Sequence, residues 1–267
     1  MITGLNMHIR VGGIEFHRVP EFRMISQRHH PLTRVTVTVP DPTGRIFRTI
    51  NDMDPVTVIW GYRNQVPARW QGTVKGVSVD RNKDQLRVNS VGLERPLAET
   101  VIKQSFINET PEAIVRYAVS QAGLSVGRIE STGVTFPRFV TSSIPVWQVA
   151  RQCEHTLKKA FGLDMRPWSM WMGKDSRINW GPFDEDAGLP VIDSNANLIR
   201  HSPGRCVSEL NRVETFMLPR MAHSMQFHLN DLKRNISESY RAIKVEHVWE
   251  DSKARTFISY GDEYERY

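Results

Sequence analysis

Between Val66 and Leu97 the chain reads VPARWQGTVKGVSVDRNKDQLRVNSVGLERPL, and this stretch restricts the possible folds more than any other. From Trp70 to Val79 the side chains alternate with period two, the signature of a strand. One face carries Trp70, Gly72, Val74, Gly76 and Ser78; the other carries Gln71, Thr73, Lys75, Val77 and Val79. Arg81-Asn82-Lys83-Asp84 is a polar turn, and Gln85 to Val91 returns as a strand with Leu86, Val88 and Ser90 in phase. Glycine inside a strand gives up packing and marks a bend or a close backbone approach. Two such glycines predict a sharply curved hairpin of the kind that turns the corner of a small barrel, here of about six strands.

The rest of the first hundred residues keeps this period. Valine alternates with polar residues from Arg34 to Val39, and Pro40-Asp41-Pro42-Thr43-Gly44 then breaks the strand with turn chemistry. Asp54 to Arg63 gives another strand, with Val56, Val58 and Trp60 on one face. Met7 to Val11 and Ile14 to Val19 flank Gly12-Gly13 as a tight hairpin.

The period then changes to that of a helix. Thr110 can cap a helix whose first position is Pro111, where the missing N–H costs nothing. Ile114, Tyr117, Ala118 and Ala122 follow at helical spacing, and Gly123 ends the helix in a left-handed cap. A second helix runs from Pro145 to Phe161, with Val146, Val149, Ala150, Cys153, Leu157 and Phe161 as its apolar stripe. Lys158 and Lys159 in its last turns favour the helix dipole, and Gly162 stops it. Leu163 to Met172 and Arg177 to Trp180 form a hairpin about Gly173-Lys174-Asp175-Ser176. Trp168-Ser169-Met170-Trp171-Met172 puts large apolar groups on both faces, as in a strand buried on both sides or one that meets another subunit.

Pro182 to Asn197 reads as a linker, after which Val207 to Met217, His223 to Leu229, Tyr240 to Trp249 and Arg255 to Tyr260 are again strands. The last two are joined by Glu250-Asp251-Ser252-Lys253-Ala254. The expected class is mainly β with an α+β insertion. A first β-barrel domain spans 1–100, a helix-helix-hairpin domain 101–182, and a second, abbreviated barrel 183–267.

Composition excludes several alternatives. With 267 residues, 40% hydrophobic and 24% charged, the chain has the make-up of a globular protein of about two domains. No apolar run approaches the roughly 20 residues of a membrane span. Met1 to Arg10 lacks an apolar signal segment, so the chain is expected to be cytoplasmic when made. Cys153 and Cys206 share no metal-like spacing and read as two reduced core cysteines. The net charge of +6 is spread along the chain among acids, which favours a solvated surface over a nucleic-acid footprint.

Catalytic motifs are missing. There is no Gly-x-Ser-x-Gly elbow, phosphate loop or His-Glu-x-x-His. His29-His30 point apart if on a strand, as do His223 and His228, and His155 on the second helix has no partner of ligand type at i+4. Asp184-Glu185-Asp186 reads as a solvated loop, and Glu263 and Glu265 lie in the tail. The expectation is no catalytic residue, no cofactor and no metal.

Four ordered motifs carry a resemblance to a known family. They are Val56-Thr57-Val58-Ile59-Trp60-Gly61-Tyr62 followed by Trp70-Gln71-Gly72-Thr73-Val74; Gln85-Leu86-Arg87-Val88 leading into Leu93-Glu94-Arg95-Pro96-Leu97; Glu109-Thr110-Pro111-Glu112-Ala113-Ile114-Val115 ending at Gly123-Leu124; and Tyr240-Arg241-Ala242-Ile243-Lys244-Val245-Glu246-His247. In order and spacing the chain resembles the baseplate hub proteins of phage tails, the late-control D group. These are related to the hub of large contractile phages and to the N-terminal part of type VI secretion spike proteins. The resemblance implies a homotrimer whose paired barrels give a pseudo-sixfold ring. Its partners would be a central spike protein, the tail tube protein, the tape-measure protein and other baseplate proteins, with DNA passing only through the lumen. It implies a place in the virion tail, after assembly in the host cytoplasm. Many members are longer, with a fuller second barrel. The two hairpins that contain Trp70, Gly72, Val74, Trp168 and Trp171 are the expected subunit contacts. Two other classes compete: a tail-tip cell-wall hydrolase, motivated by Asp184 to Asp186, and an OB-like nucleic-acid binder, motivated by a pI of about 9.5.

Overall fold

A computed structural model describes residues 4–261 apart from 18, 31, 81–83, 184–187, 205, 207–208 and 251–252. Most of the polar turn at 81–84, the acidic loop Asp184-Glu185-Asp186, Val207, Asp251-Ser252, Glu263 and Glu265 therefore lie outside the described residues. Strand outweighs helix, 53% to 14%, and the class is mainly β with an α+β insertion.

The chain divides into two compact units. One gathers Met1–Gln27, Thr33–Gly92 and Ala187–Tyr267; the other holds Arg28–Leu32 and Leu93–Asp186. The first and last β segments of the sequence thus share a unit.

In the first unit, β1 (Leu5–Val11), β2 (Ile14–Phe16), β3 (Glu21–Gln27), β4 (Arg34–Pro40), β5 (Pro55–Tyr62), β6 (Ala68–Asp80) and β7 (Gln85–Gly92) precede the insertion. Within the insertion come α1 (Pro96–Glu99), β8 (Val101–Glu109), α2 (Pro111–Gln121), β9 (Val126–Ile129), β10 (Phe136–Pro145), α3 (Val146–Phe161), β11 (Trp168–Met172) and β12 (Ile178–Pro182). The first unit resumes with β13 (Val191–Asp193), β14 (Leu198–Ser202), β15 (Asn211–Phe216), β16 (Gln226–Asp231), β17 (Ile236–Glu250) and β18 (Lys253–Tyr260).

One sheet runs through the first unit in the order β14-β15-β18-β17-β3-β4-β7-β6-β5-β1-β2. Its two halves meet where β17 pairs antiparallel with β3, from Lys244 opposite Gln27 to Glu250 opposite Glu21. The alternating valines do what their period requires: Val35, Val37, Val39, Val56, Val58, Leu86 and Val88 are all buried in one apolar core.

The curved hairpin owes its form to two different glycines. A Cβ at Gly72 would lie 2.1 Å from the Val91 carbonyl oxygen and 2.5 Å from the Trp70 ring, so only glycine lets the indole fold back over its own strand. A Cβ at Gly76 would meet nothing within 4 Å. Gly76 sits instead at a bulge, because the β6–β7 register slips between Val74 and Gly76. The slip corrects the expected phase. Trp70, Gly72 and Val74 face the core as anticipated, but beyond the bulge Val77 packs against it, and Ser78 is exposed.

The second unit follows local rules closely. The Thr110 side chain accepts from the Ala113 N–H at 3.3 Å, Pro111 opens α2, and Gly123 takes φ +68° beyond its end. In α3 the capping position is Pro145, Gly162 ends it left-handed at φ 69°, and Val146, Val149, Ala150, Cys153 and Leu157 are buried. Phe161, expected in the apolar stripe, is 42% exposed at the helix end. Cys153 is buried as expected, whereas Cys206 is exposed, correcting its assignment to a core. Strand β11 begins later than expected and lies at the edge of a three-stranded sheet ordered β11-β12-β9. Trp168 and Ser169 are buried, and Met170, Trp171 and Met172 are half-buried, as suits an edge. The linker between the insertion and the last strands also contains β13, which pairs in parallel with β16 from Val191 opposite His228.

Gly72→Ala should destabilise the protein by about 1–3 kcal/mol through overpacking against backbone, while Gly76→Ala should stay within about 0.5 kcal/mol. Urea denaturation of both variants measures the difference; equal costs would contradict this division of roles.

Candidate functional site

Polar side chains gather in two buried clusters in the first unit, one in the second unit, and one on an exposed hairpin. The first joins β14, β16 and β18. Asp231 Oδ2 lies 2.7 Å from His201 Nδ1, and the His201 Nε2 lies 2.9 Å from the Tyr260 hydroxyl. With Asp231 ionised, Nδ1 donates to the carboxylate and Nε2 accepts from the phenol. Arg234 donates to Asp231 Oδ2 at 2.9 Å and to the His201 carbonyl at 2.9 Å. Burial pushes the Asp231 carboxyl up, but the bonds from His201 and Arg234 and their charges outweigh it and hold it below the ordinary value. Burial, with help from Tyr240 and Asp231, pushes the Tyr260 phenol well up. An acid–imidazole–hydroxyl chain is the form of a catalytic relay. Here both ring nitrogens are engaged and the His201 and Asp231 side chains are only 2% exposed, so the chain ties three strands together and presents no reacting atom.

The second cluster surrounds His247 on β17. Its Nε2 donates to the Met221 carbonyl at 2.9 Å, leaving Nδ1 to accept from the Thr256 hydroxyl at 3.0 Å. Thr256 in turn accepts from the Leu218 N–H at 2.9 Å. Burial lowers the His247 pKa from 6.5 to about 4, opposed by the bond that the ring donates to the Met221 carbonyl. The ring lies 5.9 Å from Trp60, which lies 5.8 Å from Phe22, so a row of rings crosses from β17 to β5 and β3.

In the second unit, Glu154 on α3 plays the comparable part. It accepts from the Trp180 indole at 2.8 Å and pairs with His29 at 3.4 Å. Arg28 donates to the carbonyls of Trp168 at 2.7 Å and Met165 at 3.1 Å. His29 therefore sits in a turn, at φ 56°, rather than on a strand. His228 bonds Ser239 and Ser237 at 3.2 and 3.3 Å, and His223 lies 3.0 Å from the Ser224 hydroxyl.

The remaining cluster lies at the surface. Cross-strand register pairs Ile9 with Phe16 and Arg10 with Glu15 about the Gly12-Gly13 turn. The same face of this hairpin carries His8, Glu15 and His17, whose donor atoms all lie within 4.8 Å of one another. They are the residues of the described chain that could hold a metal. His8 and His17 also line a groove of about 920 Å³, with Met7, Trp60, Tyr62 and Trp249. The hairpin was legible, and counting outward from its two-glycine turn pairs His8 with His17. His29-His30 and His223/His228 are close along the chain, whereas His8 and His17 meet across two strands.

The candidate contact residues fall in different places. Trp70, Val74 and Trp168 are buried in apolar cores, Gly72 is buried under the Trp70 ring, and Trp171 is half-buried with its ring 4.7 Å from Phe183.

No protein-family model matches the chain, and no curated protein does. The fold, however, is that of phage tail proteins. The tail protein from Neisseria meningitidis MC58 superposes with a TM-score of 0.71 at 10% identity, covering 97% of each chain. The 43 kDa tail protein of prophage MuSo2 from Shewanella oneidensis gives 0.69 at 10% identity, over 97% of this chain and 98% of that one. An E. coli component of the type VI secretion system, described as similar in structure to the T4 tail proteins gp27 and gp5, gives 0.65 at 11% identity, over 97% and 78%. At these identities the likeness is one of fold.

A pH series should locate His247. A histidine whose folded pKa is depressed stabilises the fold above its unfolded value and loses that stability on acidification. Between pH 6.5 and about pH 4 the loss should reach about 3 kcal/mol. Asp231, also depressed, adds its loss only below the ordinary carboxylate value of 3.8. Denaturation midpoints from pH 7 to 4.5 should fall for the wild type and fall less for His247→Gln; equal falls, or a flat wild-type series, would contradict the assignment.

Proposed function

We propose that the chain is a structural baseplate hub of a phage or phage-like tail, in the late-control D group, and not an enzyme. The observation that carries this reading is end-to-end agreement with a tail protein, 97% of both chains at a TM-score of 0.71. In this reading the β segments before and after the insertion act as the two tube-like barrels. Three copies form a pseudo-sixfold ring that meets the tail tube protein on one side and a central spike protein on the other, beside the tape-measure protein and other baseplate proteins. DNA passes only through the lumen. The protein is assembled in the host cytoplasm and resides in the virion tail.

Such a ring needs heterologous contacts that close on themselves. We place them at the β6–β7 and β11–β12 hairpins, where Trp171 is half open to solvent. The β8–β10 ribbon adds Val101, Ile107 and Val140, which are 55%, 72% and 48% exposed. Large apolar side chains left in water on a two-stranded ribbon are suited to contact with another subunit.

Light scattering on the purified protein, alone and with its candidate spike protein, tests the proposal. The 30.7 kDa chain should give about 92 kDa, three times its own mass. A monomer under both conditions would contradict it.

A further inference from the structure

We propose that His8, Glu15 and His17 form a binding site for a divalent transition ion of the zinc class on the outer face of the β1–β2 hairpin. The placement follows from strand geometry. Successive side chains alternate between faces, so Ile9, Val11 and Phe16 point into the core, where all three are buried. The intervening residues His8, Arg10, Glu15 and His17 then share the outer face. The register carries His8 to a place opposite His17 and Glu15 two residues before it.

The distances suit the ion. Bonds of about 2.0–2.2 Å in a tetrahedron set neighbouring donors about 3.3–3.6 Å apart. His8 Nε2 and Glu15 Oε2 are already 3.6 Å apart. The two imidazole centroids lie 5.2 Å apart, and all three donor atoms fall within 4.8 Å. The His8 and Glu15 side chains are 38% and 50% exposed, free to close the remaining gap by rotation without disturbing packing. Arg10, opposite Glu15, turns its guanidinium to the Gly12 carbonyl at 3.2 Å.

The donor set selects the metal. Two imidazole nitrogens and one carboxylate oxygen suit zinc and its neighbours, whereas calcium and magnesium take oxygen ligands. Three protein donors leave one position for water. An ion held across both strands would clamp the hairpin at the rim of the groove.

The test titrates the full-length protein, stripped with a chelator, with Co²⁺ alone and follows its visible absorption, then displaces it with Zn²⁺. One saturable equivalent is expected. His17→Gln and Glu15→Gln should each weaken binding at least about tenfold, the scale seen when even the supporting shell of a metal site is lost. His228→Gln should bind as the wild type does. Unchanged binding in His17→Gln, lost binding in His228→Gln, or no saturable binding in the wild type would overturn the proposal.

Discussion

The antiparallel pairing of β3 with β17 is the contact on which the first unit depends. It joins residues more than two hundred positions apart in sequence, and without it the strands before and after the insertion would form separate sheets, each with an open edge. β17 carries more of this load than any other strand, pairing with β16 over its first part and with β18 and β3 over its second. Polar groups hold the seam from outside. Glu246, only 7% exposed, accepts from Arg23 on β3 at 2.7 Å and lies 3.9 Å from Arg212 on β15. A buried carboxylate needs such partners to offset its lost hydration. On the core side, the Trp60 ring of β5 lies 5.8 Å from Phe22 on β3 and 5.9 Å from His247 on β17.

The same demand accounts for the full partnering of the most catalytic-looking groups among the described residues. His201 and His247 are each saturated by two partners, and Glu154 in the second unit is held by Trp180 and His29. Such fully partnered polar networks fix which strands lie beside which, a demand that apolar packing alone leaves loose. On the proposed reading, a ring component has more use for a fixed register than for a reactive group.

What could be read from sequence was local. The ends of α2 and α3 follow from Thr110, Pro111, Gly123 and Gly162, because capping involves only neighbouring residues. Strands β4, β5 and β7 follow from valine alternation against a single core. The strands that were not anticipated lack that signal. In β8, Ile102 is the one fully buried residue of nine, because the ribbon has only one partner strand and little core to face. β3 buries Phe22 and Ser26, a pattern that reads as strand only once β17 is known to lie beside it. The pairing of His8 with His17 follows from the two-residue turn at Gly12-Gly13, whereas the slip at Gly76 depends on register, which no single segment encodes. Burial is hard to read for the same reason: Trp70 and Val74 look available in a strand but are buried in the core.

Amide hydrogen exchange across the β3–β17 seam tests the central claim most directly. If the first and last β segments are one cooperative sheet, the paired amides of β3 and β17 should share the slowest exchange in the first unit and open together with β4 and β7. Fast, independent exchange of β16, β17 and β18 while β3 to β7 stay protected would contradict it.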